Sequence, residues 1–150
     1  MKKLYKLYLE FKKISEAQKK RELFLFMMKR KEKESEIASL ENEKSKIYSE
    51  LEKNLMEEGI SPLYISQFLN YISGLRDEKK RKVEELRNLV HQEEMKRMEY
   101  IDSKKEADLA QRLFYRVLMN EMNQKAKQQE KLADEMVLIK KAFSENDENI

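Results

Sequence analysis

The chain has 150 residues, 41% charged and 40% hydrophobic, with two glycines, one proline, one histidine, no cysteine and a formal net charge of +3. An ordinary domain carries about 25% charge and about 7% glycine, so hairpin-rich sheets and glycine-rich phosphate loops are excluded. Disulfide frameworks, thiol redox pairs, cysteine-bound zinc and histidine-rich metal sites fall with the missing cysteine and the lone histidine.

What remains is dominated by Lys, Glu, Arg, Leu, Met and Gln, all strong helix formers. At the N-terminus, Met1-Lys2-Lys3 leads into Leu4-Tyr5-Lys6-Leu7, which charge interrupts too early for a signal peptide. No run approaches the ~18 apolar residues that cross a bilayer, so no membrane insertion is expected and the cytosol is the default location.

The first helix is expected over residues 3–58. Its apolar positions recur at Leu4, Leu7, Phe11 and Ile14, then Leu25 and Met28, then Ile37, Leu40, Ile47, Leu51 and Leu55. Steps of three and four residues are the coiled-coil signature. Between Lys29 and Glu36 nearly every residue is charged or serine, which predicts a stutter or a loose region there.

Charge is unevenly placed along this helix. Residues 1–35 hold 12 basic and 5 acidic side chains, whereas residues 36–58 hold 3 and 7. Lys12, Lys13, Lys19 and Lys20 belong to the basic part, together with the apolar run Phe24–Met28. An apolar run inside a basic segment suits an acidic protein surface better than a nucleic-acid backbone.

Gly59-Ile60-Ser61-Pro62 is the bend, over residues 59–62. Gly59 suits the left-handed position that ends a helix. Ser61 suits an N-cap and Pro62 the first helical residue, with Ile60 and Ile65 placed for a hydrophobic staple. So short a link favours antiparallel neighbours.

The second helix is expected over residues 62–143. Its stripe runs through Ile65, Phe68, Ile72, Leu75, Val83, Leu86, Val90, Met98 and Ile101. It continues through Ala107, Ala110, Phe114, Val117, Leu118 and Met122 to Leu132, Met136, Ile139 and Phe143. At 1.5 Å per residue the two helices would be roughly 85 and 120 Å long. Folding at the bend pairs residue i with a partner near 121 − i. Phe11 then faces Ala110, Ile14 faces Ala107, Leu4 faces Val117, and Ile47 falls opposite Gly74. Gly74 reads equally as a packing need or a tolerated accident.

The fold class is therefore all-α: one long antiparallel two-helix coiled-coil hairpin over residues 1–143, with the second helix overhanging. Residues from about 121 to 143 have no partner yet keep one apolar face, which calls for a self-dimer or another protein. Residues 144–150 form a polar tail expected to be disordered.

No catalytic, cofactor or metal residues emerge, and the chain reads as a non-enzyme. His91 with Glu94 one turn on has the spacing of a metal pair, but one histidine among 29 acidic residues meets such a neighbour by chance. Glu57/Glu58 and Glu84/Glu85 read as solvated faces, with no pocket to separate their pKa values.

A basic first helix, a break at Gly-Ile-Ser, then Ser66-Gln67-Phe68-Leu69 with Ile72 and Leu75, then a long charged helix, together resemble the FliJ family. Members are central stalk proteins of the bacterial flagellar type III export ATPase, and the stalk proteins of injectisomes are related in structure. The resemblance implies a part in flagellum biogenesis, motility and protein export. It implies a terminal end that enters the hexameric export ATPase and promotes ring assembly. Lys12, Lys13, Lys19, Lys20, Leu132, Met136 and Ile139 would be the residues at that end. It also implies a bend-proximal contact with the cytoplasmic domain of the export gate membrane protein, and links to export chaperones. The family's gate contact, a phenylalanine followed by residues at +4, +7 and +11, corresponds here to Phe68, Ile72, Leu75 and Lys79. A tyrosine late in the first helix matches Tyr48, while the one a turn earlier is replaced by Lys44. The implied location is cytoplasmic, peripheral to the inner membrane through the export apparatus. A coiled-coil chaperone-like or transcription-associated hairpin is the other reading; the bend, with acids only at Glu57 and Glu58, weighs against the latter.

Overall fold

The computed structural model describes residues 1–59 and 61–148, with the side chains of all of these except 58, 147 and 148. Helix α1 spans Lys2–Glu58 and helix α2 spans Pro62–Glu148, with no strand among the described residues. The fold is an all-α helical hairpin whose two helices pack on one another.

The bend follows from its residues. Gly59 sits at φ +50°, a left-handed conformation that a Cβ would strain. The Tyr64 N–H donates to Ser61 Oγ at 3.3 Å, so Ser61 caps α2, and Pro62 is its first residue. The staple expected between Ile60 and Ile65 involves Ile60, which lies outside the described residues.

At the other end the expectation differs from the structure. Helix α2 does not stop at Phe143 but continues through Glu148, so residues 144–148 are helical rather than a disordered tail. No glycine or proline follows Phe143 to break the helix, and extending an existing helix adds a hydrogen bond per residue without a new nucleus. Residues 149 and 150 lie outside the described residues.

Two compact units are present: Glu16–Asp102, and Met1–Ser15 with Ser103–Ile150. In the first, cross-helix ion pairs run in antiparallel order. The residue numbers add to 118 in Lys19–Glu99, Lys96–Glu22, Lys33–Glu85 and Lys82–Glu36, and to 123 in Arg30–Glu93. The register lies within a turn of the expected 121 − i. Leu23, Phe26, Arg30, Lys33, Ile37 and Leu40 are all buried or half-buried, in unbroken steps of three and four. There is accordingly no stutter at Lys29–Glu36. Charged side chains occupy the seam, laying their methylene stems along it and turning their heads to partner carboxylates. Leu25, Met28, Val90, Met98 and Ile101, expected inside, are exposed. Gly74 is exposed too, with nothing within 4 Å of an added Cβ, so no packing need explains it.

In the second unit, Leu9, Ala107 and Ala110 are buried, and Lys12 Nζ meets Glu106 Oε2 at 2.9 Å. That bond puts Leu9, not Phe11, level with Ala110. Leu4, Leu7, Phe11 and Ile14, expected in the seam, are 63–70% exposed. At 100° per residue their stripe lies about 150° round α1 from Leu9 and Lys12. Two apolar faces therefore compete on these residues. The phase set by Leu51, Ile47, Leu40 and Ile37, counted back along α1 in heptad steps, selects the one with Leu9. Lys2 reaches Glu121 at 3.9 Å, and α2 is exposed from Met122 through residue 146.

Candidate partner-binding surfaces

The bend-proximal surface is built from the start of α2 and the end of α1. Asn54 Nδ2 donates to Tyr64 Oη at 3.3 Å. The Tyr64 ring meets Phe68 edge-on, with centroids 4.8 Å apart and planes at 64°. Phe68 is half-buried. The two residues that continue the resemblance to a gate contact are differently placed. Ile72 and Leu75 are 3% and 7% exposed, so both side chains pack inside the hairpin and present no free surface. Their heptad spacing from Phe68 marks them as seam residues.

Lys79 is half-buried and its ammonium donates to Glu41, which holds the Glu41 carboxyl below its ordinary pKa. Tyr48 is exposed, and the Lys44 ammonium lies 6.0 Å from its ring centroid. Lys44 thus places a cation beside the Tyr48 ring. Tyr71 is exposed and donates to Glu43 Oε1 at 2.6 Å, which raises the Tyr71 pKa. Leu55, Met56, Leu63 and Leu69 are further exposed apolar residues near the bend. Of these the sequence reading named Leu55, as a seam residue, and Leu69, in the run Ser66-Gln67-Phe68-Leu69. The signal for Leu55 and Leu69 is their place directly after the seam residues Asn54 and Phe68.

The residues assigned to the ATPase end fall in different units. Lys19 and Lys20 belong to Glu16–Asp102. Lys12, Lys13, Leu132, Met136 and Ile139 belong to the unit of Met1–Ser15 with Ser103–Ile150. Lys12 and Lys19 face the second helix. Lys12 bonds to Glu106, which raises its pKa, and lies 5.5 Å from the Tyr8 ring centroid; Lys19 meets Glu99 at 3.4 Å and Glu22 at 3.7 Å. Lys13 and Lys20 are exposed and make no ion pair among the described residues. Leu132, Met136, Ile139 and Phe143 are all exposed, and recur at steps of four and three along one side of α2.

His91 and Glu94 are exposed on α2, and Glu85 pairs with Lys33 at 2.7 Å. Among the described residues no group of three or more His, Cys, Asp or Glu is placed to hold a metal ion, and no helix is long and apolar enough to cross a membrane. The arrangement offers docking faces: a ring-edge and tyrosine surface by the bend, unpaired lysines on α1, and a bare apolar stripe on α2. No family model, curated protein or solved structure matches the chain.

Proposed function

We propose that this chain is a non-enzymatic, cytoplasmic stalk subunit of a flagellar type III protein export apparatus. Its α2 end inserts into the hexameric export ATPase, promotes ring assembly, and the bend-proximal surface links the ring to the cytoplasmic domain of the export gate. The observation that carries the reading is the α2 segment beyond Glu121, helical yet exposed on every side, with Leu132, Met136, Ile139 and Phe143 in one stripe. A helix of this kind suits an apolar sleeve, which a ring pore supplies. Lys13 and Lys20, free of ion pairs, suit acidic loops around such a pore. On the gate side, Tyr48 and the half-buried Phe68 remain available, whereas Ile72 and Leu75 do not.

The test is ATP hydrolysis by the export ATPase against increasing amounts of the full chain and of a chain ending at Glu121. The full chain should stimulate hydrolysis; the shortened chain should retain its helical hairpin and stimulate little. Equal stimulation by both would remove insertion of the α2 end, and no binding of the full chain would remove the stalk reading.

A further inference from the structure

Unit Met1–Ser15 with Ser103–Ile150 carries two unpartnered apolar stripes. One is on the outer face of α1, at Leu7, Phe11 and Ile14; the other is on the α2 overhang, at Leu132, Met136 and Ile139. Helix α2 has no break between Pro62 and Glu148, so its overhang cannot turn back onto the α1 of its own chain. We propose that the overhang of a second copy of this chain packs along the outer α1 stripe, reciprocally, in a two-fold dimer.

Direction, spacing and charge all point to that occupant. Within the unit α2 runs antiparallel to α1. A two-fold axis across the helices reverses α2, so the partner copy's overhang runs parallel to α1. In that direction the spacings coincide: four then three residues in Leu7, Phe11, Ile14, and four then three in Leu132, Met136, Ile139. Aligning them gives three apolar layers. It also sets Glu10 and Lys140 at the flanking positions that attract across a parallel helix pair.

Residues 1–15 hold five basic side chains and one acidic, while residues 130–150 hold three basic and six acidic, so the paired segments have opposite net charge. Six side chains at about 60–120 Å² each, counted over two symmetric contacts, give roughly 700–1,400 Å². That reaches the lower end of the ~1,200–2,000 Å² buried in stable complexes, before Leu4, Tyr8 and Phe143 are added. The inference does not rest on the stalk reading, since the chain alone is tested; the second copy and the ring compete for Leu132, Met136 and Ile139.

The experiment is sedimentation equilibrium of the full chain and two variants, Leu7→Glu with Phe11→Glu, and Met136→Lys with Ile139→Lys. The native chain should sediment at twice its 18.2 kDa mass. Each variant alone should sediment as a monomer, because a homodimer of either has both contacts altered. Their equimolar mixture should recover dimer, because one contact is then native on both sides and the other sets the glutamates of the first against the lysines of the second. All four positions are exposed within one chain, so far-UV circular dichroism should match the native chain. A native chain that stays monomeric up to ~100 µM overturns the proposal and leaves both stripes to a different protein. An α1 variant that still dimerises puts overhang against overhang instead, and a mixture that stays monomeric removes the reciprocal contact.

Discussion

Across the two helices, Arg30 Nε donates to Glu93 Oε2 at 2.5 Å, while Arg97 donates to the other Glu93 oxygen at 3.1 Å. Glu93 is 5% exposed, so this carboxylate lies inside the seam, with both oxygens answered. Removing one partner of such a pair leaves an unanswered charge, whereas replacing both by apolar residues is often neutral or better. Arg30→Met, which leaves Glu93 Oε2 without its partner inside the seam, should therefore lower the melting temperature by about 5 °C or more, whereas Glu93→Ala should cost less because Arg30 keeps Glu34 at 2.9 Å. Arg30→Met with Glu93→Leu should restore it. A double variant as unstable as Arg30→Met alone would mean that the pair itself holds the seam.

The two glycines should respond in opposite directions. Gly59→Ala forces a Cβ into the left-handed region and should cost about 1 kcal/mol. Gly74 lies in a helix interior with open space where a Cβ would go, so Gly74→Ala should add about 0.5–1 kcal/mol. Urea midpoints of the two variants decide this, and a loss at Gly74 would show that α1 approaches it more closely.

Hydrogen bonds from Lys33 hold Glu36 and Glu85 below their ordinary pKa, and those from Lys79 and Lys96 do the same for Glu41 and Glu99. A carboxylate depressed in the folded state adds stability above its unfolded value of about 4.3, lost as pH falls through the folded value. Lys12, Lys33 and Lys96 are raised by Glu106, Glu85 and Glu22 respectively. Their contribution is present below about 10.4 and is lost as pH rises through the folded values. Urea midpoints should form a plateau near neutral pH and fall on both sides. Replacing Glu36, Glu41, Glu85 and Glu99 together by Gln should flatten the acid side.

Near the bend, stability and partner binding should separate by residue. Ile72→Ala opens a cavity in the seam and should cost about 2–4 kcal/mol. Tyr48→Ala changes an exposed ring and should stay within about 0.5 kcal/mol of native. If the gate reading holds, Tyr48→Ala weakens binding to the gate's cytoplasmic domain at unchanged helicity. A loss of helicity with Tyr48→Ala would make it a structural residue.

The bend was legible because Gly59, Ser61 and Pro62 each have one favoured place at a helix boundary, and the register followed from so short a link. The stripe through Ile37, Leu40, Ile47 and Leu51 was legible for the same reason as its partners Ile65, Phe68, Ile72 and Leu75: apolar seam positions alternate with polar faces. The seam at Arg30, Lys33, Glu93 and Lys96 was hidden because a charged residue with a long stem fills a heptad position without an apolar signal. On residues 4–14 the more apolar stripe is the exposed one, so apolar content misleads and only phase counted from the bend identifies Leu9. The outer stripe at Leu4, Leu7, Phe11 and Ile14 was visible as spacing but not as surface; the overhang at Leu132–Phe143 was visible from chain length alone.

The lysines of α1 divide by what they already hold, and the division predicts two different phenotypes. Lys12 and Lys19 are bonded to Glu106 and Glu99 on α2. Lys12→Gln with Lys19→Gln should lower the melting temperature modestly, by about 1–3 °C, because exposed ion pairs contribute little. Lys13 and Lys20 hold no carboxylate, so Lys13→Gln with Lys20→Gln should leave melting unchanged. Its effect should appear in partner binding, and the loss should shrink as salt rises, since exposed charges are screened over ~10 Å at 0.1 M. The check is melting of each pair beside ATPase binding at two salt concentrations. If the Lys13 and Lys20 variant binds like the native chain at low salt, the positive charge of α1 serves the hairpin and not the partner, and insertion rests on the apolar stripe at Leu132, Met136 and Ile139.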